Sequence, residues 1–253
     1  MGLFDLFKSS KRGKGDTSEE KPKASPAAKW ANVAADKRAQ NYDRQEAIAA
    51  LAAMGTGDAA SALLRRFTFH MDPSITDQEE KDAAFNGILR AGREAIEPVR
   101  AFVTKAESMA WPMKVMKEIT SGEEELVEEL LLWLSKWDTE YSKFVDPKIQ
   151  LLVALEEHKG PNIRAAVERF LLDVNESARF HAVGAMLAQG DPEAIPSLLD
   201  CLVDEESVRV KHRLVDGFVT HGWTVPEEKR EAVRKALPSG ATIDASGQMR
   251  KRA

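Results

Sequence analysis

Histidine, cysteine and carboxylate side chains are the usual sources of catalytic chemistry, and their spacing in this sequence predicts none. His212 and Asp216 stand one helical turn apart, which would orient a general base, but no serine or cysteine nucleophile is indicated nearby. The phosphate-binding patterns GxxxxGK[ST] and GxGxxG and the nucleophile pattern GxSxG do not occur. No HExxH pattern or other metal-ligand spacing joins the five histidines, which are His70, His158, His181, His212 and His221. The sequence therefore predicts a non-enzyme with neither a metal nor a cofactor.

Five arginines are the predicted contacts to a partner. They are Arg65, Arg66, Arg100, Arg164 and Arg169. Each lies on the predicted second helix of a helical pair, outside the apolar stripe of that helix. Because a guanidinium binds carboxylates in a bidentate manner, this set suits the capture of an acidic protein segment. The sequence leaves open the alternative that all five are solvated surface charges.

The N-terminal residues 1 to 8 combine bulky apolar side chains with a basic flank. The apolar residues are Leu3, Phe4, Leu6 and Phe7, and Lys8 begins the basic flank. This combination predicts an interfacial membrane anchor or a peptide that docks on a partner, and a third reading is an apolar start without a role. Myristoylation is excluded because Leu6 stands where Ser or Thr is required. Residues 9 to 26 lack bulky apolar side chains and are predicted to form a disordered linker.

Composition narrows the remaining function classes. The net charge of -5 argues against a nucleic-acid-binding protein, which needs a basic face. The single cysteine, Cys201, excludes an intramolecular disulfide, and its apolar neighbours predict a buried, unreactive thiol. No apolar run approaches the roughly 18 residues of a membrane span, and no secretory leader is recognisable. We expect a cytoplasmic protein whose N-terminus contacts the inner face of the membrane.

The elements that would position any site are paired helices. In the segment 175 to 203, a first helix is expected to end at Gly190, and Asp191 and Pro192 are expected to start a second. Similar glycines separate apolar-periodic segments at intervals of 30 to 38 residues, which is typical of a helical solenoid. The glycines are Gly55, Gly92, Gly122, Gly160, Gly190 and Gly222.

Residues 41 to 238 resemble HEAT-repeat proteins, in particular the short HEAT-like repeats of phycobilisome lyases. The resemblance is carried by AIPSLL from Ala194, AIEPVR from Ala95 and ARFHAVGAML from Ala178. It implies an all-α, right-handed α-solenoid of about six helical hairpins. Residues 27 to 40 are then expected to form an N-terminal capping helix, and residues 239 to 253 a flexible basic tail. Four basic residues stand eleven positions before a glycine and are expected to join neighbouring repeats: Arg44, Lys81, Arg179 and Lys211.

Three functions are compatible with such a solenoid. The first is a non-catalytic scaffold that binds a protein partner on its concave face, which requires nothing that the sequence lacks. The second is a subunit similar to bilin lyases or isomerases, which the repeat type alone suggests. The third is an alkylpurine DNA glycosylase of the HEAT-like fold, which the acidic net charge disfavours.

Overall fold

The chain was analysed as a computed structural model that describes residues 26 to 251. This part of the chain is built from α-helices and short turns, with one two-stranded antiparallel sheet near its C-terminal end. The predicted all-α class is confirmed. The predicted anchor at residues 1 to 8 and almost all of the predicted linker lie outside the described residues.

The thirteen helices of the described residues follow one another in pairs after the first. They are α1 (Ala28–Ala34), α2 (Asn41–Met54), α3 (Gly57–Leu64), α4 (Ser74–Arg90), α5 (Ile96–Val103), α6 (Ala110–Ile119), α7 (Glu123–Leu134), α8 (Asp146–Glu156), α9 (Ile163–Val167), α10 (Glu176–Gln189), α11 (Ile195–Asp204), α12 (Val208–His221) and α13 (Arg230–Ala236). The strands are β1 (Ala241–Ile243) and β2 (Met249–Lys251).

Local sequence signals explain where several helices begin and end. The predicted glycine stops are confirmed at the ends of α2, α10 and α12, where Gly55, Gly190 and Gly222 have φ values of 57°, 67° and 65°. Only glycine adopts this left-handed conformation without strain. Helix α10 begins after Asn175, whose side-chain oxygen accepts a hydrogen bond from the amide of Ala178 at 3.1 Å. Such an N-cap satisfies one of the free amides of the first turn.

Successive helix pairs stack on one another. The first helices of the pairs pack in order, α2 on α4, α4 on α6, α8 on α10 and α10 on α12. Among the second helices, α3 packs on α5, α7 on α9 and α11 on α13. Helix α1 covers the first pair through contacts with α2 and α3. The buried apolar side chains form one cluster that extends along the stack from Ala27 to Met249.

The C-terminal segment is an ordered hairpin, so the prediction of a flexible tail is wrong for residues 239 to 251. Strands β1 and β2 pair in an antiparallel register, and Met249 is buried with 3% of its surface exposed. The carboxylate of Asp244 accepts hydrogen bonds from the amides of Ser246 and Gln248, both at 3.0 Å, which closes the turn. Arg230 of α13 donates to the Ser246 carbonyl at 3.0 Å. The hairpin therefore covers the last helix pair.

Among residues 26 to 251, no helix combines the length and the apolar character needed to cross a membrane.

Candidate functional site

The predicted arginine contacts do not form one cluster, because the structure distributes them over three helix pairs. Arg65 and Arg66 follow α3, Arg100 is on α5, and Arg164 and Arg169 are on α9 and the turn after it. The contacts of these side chains show which of them remain open to a partner.

Arg66 is buried, so its prediction as a partner contact is wrong. Its Nη2 donates to Asp77 Oδ1 at 2.7 Å and its Nε donates to Glu80 Oε2 at 2.8 Å. Both carboxylates lie on the next first helix, α4. Burying a guanidinium without a carboxylate partner costs free energy, and the two carboxylates compensate for that cost. Arg66 therefore joins two helix pairs and offers no surface to a partner.

Arg100 and Arg164 make ion pairs to the helix pair that follows their own. Arg100 Nε lies 3.0 Å from Glu129 Oε2 of α7, and hydrogen bonding to Glu129 raises the pKa of this guanidinium. Arg164 Nε lies 2.6 Å from Asp191 Oδ2, at the start of the turn that leads into α11. Both side chains retain partial exposure, but their charges are already neutralised by carboxylates.

Arg65 and Arg169 are the two exposed members of the set. Arg169 is held in place, because its Nη2 donates to the carbonyls of Leu134 and Trp137 at 3.2 and 2.6 Å. Arg65 makes one long contact of 3.5 Å, from Nη1 to Asn32 Oδ1 of α1. Arg65 is therefore the member of the predicted set whose guanidinium is least engaged by other described residues.

Helix α7 carries the most distinctive surface of the described residues. Three of its glutamates pair with neighbouring helices: Glu125 with Arg93 at 2.7 Å, Glu129 with Arg100, and Glu123 with His158 at 2.9 Å. The hydrogen bond from Arg93 lowers the pKa of Glu125 to about 2. These pairs connect α7 to the segments before and after it.

Two other glutamates of α7, Glu124 and Glu128, are exposed and have no ion-pair partner among residues 26 to 251. They stand one helical turn apart, and Leu132 follows one turn later on the same face. Leu132 exposes 42% of its surface. We call Glu124, Glu128 and Leu132 the α7 strip. It is acidic at one end and apolar at the other.

The apolar end of the α7 strip borders a pocket of about 330 Å³ between α5 and α7. Trp133, which exposes only 3% of its surface, and Trp137 form part of its wall. Two cations, Arg100 and Lys136, also line it. The remaining lining residues are Val103, Thr104, Met109 and Leu132. We call this cavity the tryptophan pocket; its size and lining suit a bulky apolar side chain.

The acidic end of the α7 strip borders a second depression, also of about 330 Å³, on the side of α9. Glu124, Glu128 and Leu131 line it together with Lys159 and the turn at Gly160 and Pro161, and Lys159 makes no ion pair of 4 Å or less with either glutamate. A segment that lies along α7 would therefore meet an apolar pocket at the C-terminal end of the helix and carboxylates towards its N-terminal end.

The side chains that the sequence analysis considered for chemistry lie in structural surroundings. Asp216 pairs with Lys251 of β2, so it belongs to the contact that holds the hairpin. His181 Nδ1 lies 2.5 Å from Glu156 Oε1, in a cluster that links α8, α10 and α12. Burial raises the pKa of the Cys201 thiol to about 12, which keeps it protonated at neutral pH. Within residues 26 to 251, no group of three His, Cys, Asp or Glu side chains has a metal-binding arrangement.

The sequence analysis did not predict that these arginines pair with carboxylates of the following helix pair. Glu129 follows Arg100 by 29 residues and Glu125 follows Arg93 by 32 residues. These separations are close to the 30-residue interval between Gly92 and Gly122, so an acid about 30 residues after a base was the available signal. This signal does not by itself separate the paired glutamates of α7 from the unpaired ones, since Arg93 also precedes Glu124 by 31 residues.

Comparison with known proteins found no matching family model, no matching curated protein and no matching solved structure. The resemblance to HEAT-repeat proteins therefore stays a prediction from the residues, and the argument about function depends on the geometry of α7.

Proposed function

We propose that this protein is a non-catalytic scaffold that binds a protein partner through helix α7. The partner segment presents a bulky apolar residue followed by lysines or arginines. The observation that carries this proposal is the exposed α7 strip, which combines two glutamates that have no ion-pair partner among the described residues with Leu132 on the rim of the tryptophan pocket.

Burial of the partner's apolar residue in the tryptophan pocket supplies most of the affinity. Burying a leucine or phenylalanine side chain is worth roughly 1.5 to 3 kcal/mol. The tryptophan pocket has aromatic walls, which are frequent at the energetic centres of protein interfaces. Leu132 would be covered in the same event, which removes an exposed apolar side chain from water.

The two glutamates determine the orientation of the partner segment along α7 and the selectivity for its charge. Glu124 and Glu128 repel each other at a spacing of four residues, at a cost of roughly 0.2 to 0.5 kcal/mol. A cation on the partner would attract both carboxylates and so offset this repulsion. The attraction between the cation and the carboxylates should weaken as the salt concentration increases. The two exposed carboxylates also disfavour a nucleic-acid backbone and an acidic peptide. The proposed partner is therefore basic, whereas the arginine set had predicted an acidic one.

The architecture supports a scaffold. The stacking of first helices on first helices and of second helices on second helices supports a right-handed α-solenoid of six HEAT-like hairpins. In that arrangement α7 is the second helix of the third hairpin, on the face that we propose to be concave. We also propose that the protein acts in the cytoplasm, at the inner face of the membrane.

Selection from a displayed library of random peptides on the immobilised full-length chain tests the proposal. We expect the selected peptides to share an aromatic or aliphatic residue followed within a few positions by lysine or arginine. Leu132→Ser should abolish their binding, whereas Val153→Ser, which alters a similarly exposed apolar residue on α8, should not. Selection of acidic peptides, or equal binding by the two variants, would overturn the assignment of α7.

A further inference from the structure

We propose that the α7 surface is occupied, in the absence of a partner, by residues 3 to 14 of the same chain. This inference rests on the proposed function for the chemistry of the surface, and it adds an intramolecular occupant that a partner must displace. The scaffold would then be self-inhibited by its own N-terminal segment.

The order of residues in the segment matches the order of features along α7. Leu3, Phe4, Leu6 and Phe7 come first, and Lys8, Lys11, Arg12 and Lys14 follow. With the apolar residues at the tryptophan pocket, the basic residues extend towards Glu128 and Glu124. Asp5, the single acid of this stretch, would then lie near Arg100 and Lys136, the two cations that line the pocket.

The spacing of these features also agrees. Leu132 and Glu124 are eight residues apart on a helix, which is about 12 Å at about 1.5 Å per residue. Phe7 and Lys11 are four residues apart, which is about 13 Å in an extended chain at about 3.3 Å per residue. One extended segment can therefore place a phenylalanine in the pocket and a cation beside Glu124 at the same time.

The connecting chain is long enough to reach. Helix α1 contacts α3, α3 contacts α5, and α5 is joined to α7 by the Arg100–Glu129 ion pair. The two steps between packed helices, at about 8 to 10 Å each, amount to about 16 to 20 Å, and the ion pair bridges the remaining step from α5 to α7. The twelve steps from Lys14 to Pro26, the first described residue, span at most about 40 to 43 Å. Because a tether of this length gives an effective concentration in the millimolar range, even a weak contact would be populated.

Disulfide trapping in the full-length chain tests the proposal. Gly2→Cys is combined with Ser135→Cys, because Ser135 lies one turn beyond Leu132, next to the expected position of residue 2. The matched control combines Gly2→Cys with Ser61→Cys, an exposed position on α3 that is closer to the start of the described chain. The native Cys201 is buried with a raised pKa and does not compete.

We expect the disulfide within one chain to form about tenfold faster at position 135 than at position 61, as expected for burial of about one apolar side chain. Adding Phe4→Ser and Phe7→Ser should remove that preference, and added salt should reduce it. Equal rates at the two positions, or a product that is mainly a disulfide-linked dimer, would overturn the proposal. Equal rates together with flotation of the chain on phosphatidylserine vesicles would identify the segment as a membrane anchor.

The outcome is separable from the proposed function. If displayed peptides bind α7 while trapping shows no preference for position 135, the surface binds partners but the N-terminal segment is not its occupant.

Discussion

Two regions of the molecule use charge in opposite ways. Between α2 and α4, Glu80 is buried and accepts hydrogen bonds from Arg44 at 2.7 Å and from Arg66 at 2.8 Å. On α7, Glu124 and Glu128 are exposed and lack an ion-pair partner among the described residues. The first arrangement fixes one helix pair against the next, and the second leaves charge available for binding.

The difference shows that residue type alone does not separate structural charge from functional charge. Arg100 and Glu129, which lie on consecutive helix pairs, are committed to each other. A charge is available to a partner when no opposite charge of the neighbouring helix pair lies within ion-pairing distance. The following predictions test that distinction, and they begin with the largest expected effect.

Glu80→Gln should destabilise the protein by about 3 to 5 kcal/mol, because it leaves two buried guanidinium groups short of a carboxylate. Chemical denaturation followed by circular dichroism measures the free energy of unfolding. The control is Glu79→Gln, an exposed neighbour on the same helix, which should change that free energy by less than about 0.5 kcal/mol. A loss below about 1 kcal/mol for Glu80→Gln would contradict a structural role for the network.

The same network predicts sensitivity to acid. Burial alone would raise the pKa of Asp77, but hydrogen bonds from Lys81 and Arg66 outweigh it and lower this pKa from 3.8 to about 2. Because the folded-state pKa lies below the unfolded value, Asp77 stabilises the protein above about pH 4 and loses that contribution as the pH falls towards 2.

The lost contribution should be about 2 kcal/mol, and unfolding free energies measured between pH 5 and pH 2 would show it. The free energy of unfolding of the Asp77→Asn protein should fall less steeply between pH 5 and pH 2. If the two proteins lose stability in parallel, Asp77 does not titrate as the ion pairs require.

An intermediate effect is expected where Arg213 of α12 crosses α10 to reach Glu156 of α8. A Cβ at Gly184 would lie 2.0 Å from Arg213 Nη2, so Gly184→Ala must displace the guanidinium. We expect a net loss of about 1 kcal/mol, since overpacking outweighs the gain in helix propensity.

A double-mutant cycle with Arg213→Ala sharpens this prediction. The new Cβ would also meet Glu156 Oε2 at 2.6 Å, but this carboxylate is the end of a flexible side chain that can move aside once the guanidinium is removed. In that background Gly184→Ala should therefore become neutral or stabilising by up to about 1 kcal/mol. The same loss in both backgrounds would mean that the close approach of Arg213 does not require glycine.

The smallest effect on stability is expected on α7. Glu124→Gln with Glu128→Gln should stabilise the protein slightly, by roughly 0.2 to 0.5 kcal/mol, because it removes a repulsion between exposed carboxylates. The matched control is Glu227→Gln with Glu228→Gln, two exposed acids near the C-terminal end. Thermal denaturation measures the change in stability. A decrease in the free energy of unfolding larger than about 1 kcal/mol would show that the α7 carboxylates have structural partners.

The sequence predicted the helical elements better than the roles of their surface residues. Glycine stops and apolar periodicity are local signals, and Gly55, Gly190 and Gly222 end helices as predicted. The expected links between repeats were also found for Arg44, which pairs with Glu80, and for Arg179, which pairs with Glu205.

Contacts between distant segments were harder to predict. Whether an arginine is buried, as Arg66 is, depends on the packing of the following helix pair. The C-terminal hairpin was missed because its strands have three residues each, too few for a clear alternation. In addition, the burial of Met249 depends on the packing of β2 against α12, a contact between distant segments. The tryptophan pocket depends on the relative placement of α5 and α7, which no local pattern fixes.

The most direct test of the central claim is a charge exchange on α7. Fluorescence anisotropy would measure the binding of two labelled peptides, one with the sequence of residues 1 to 14 and one with its four basic residues changed to glutamate. The recipient is the full-length chain carrying Phe4→Ser and Phe7→Ser, so that its own segment does not compete. We predict that this chain binds only the basic peptide, and that Glu124→Lys with Glu128→Lys reverses the preference. If the lysine variant keeps the preference for the basic peptide, or if neither chain distinguishes the peptides, α7 is not the binding surface.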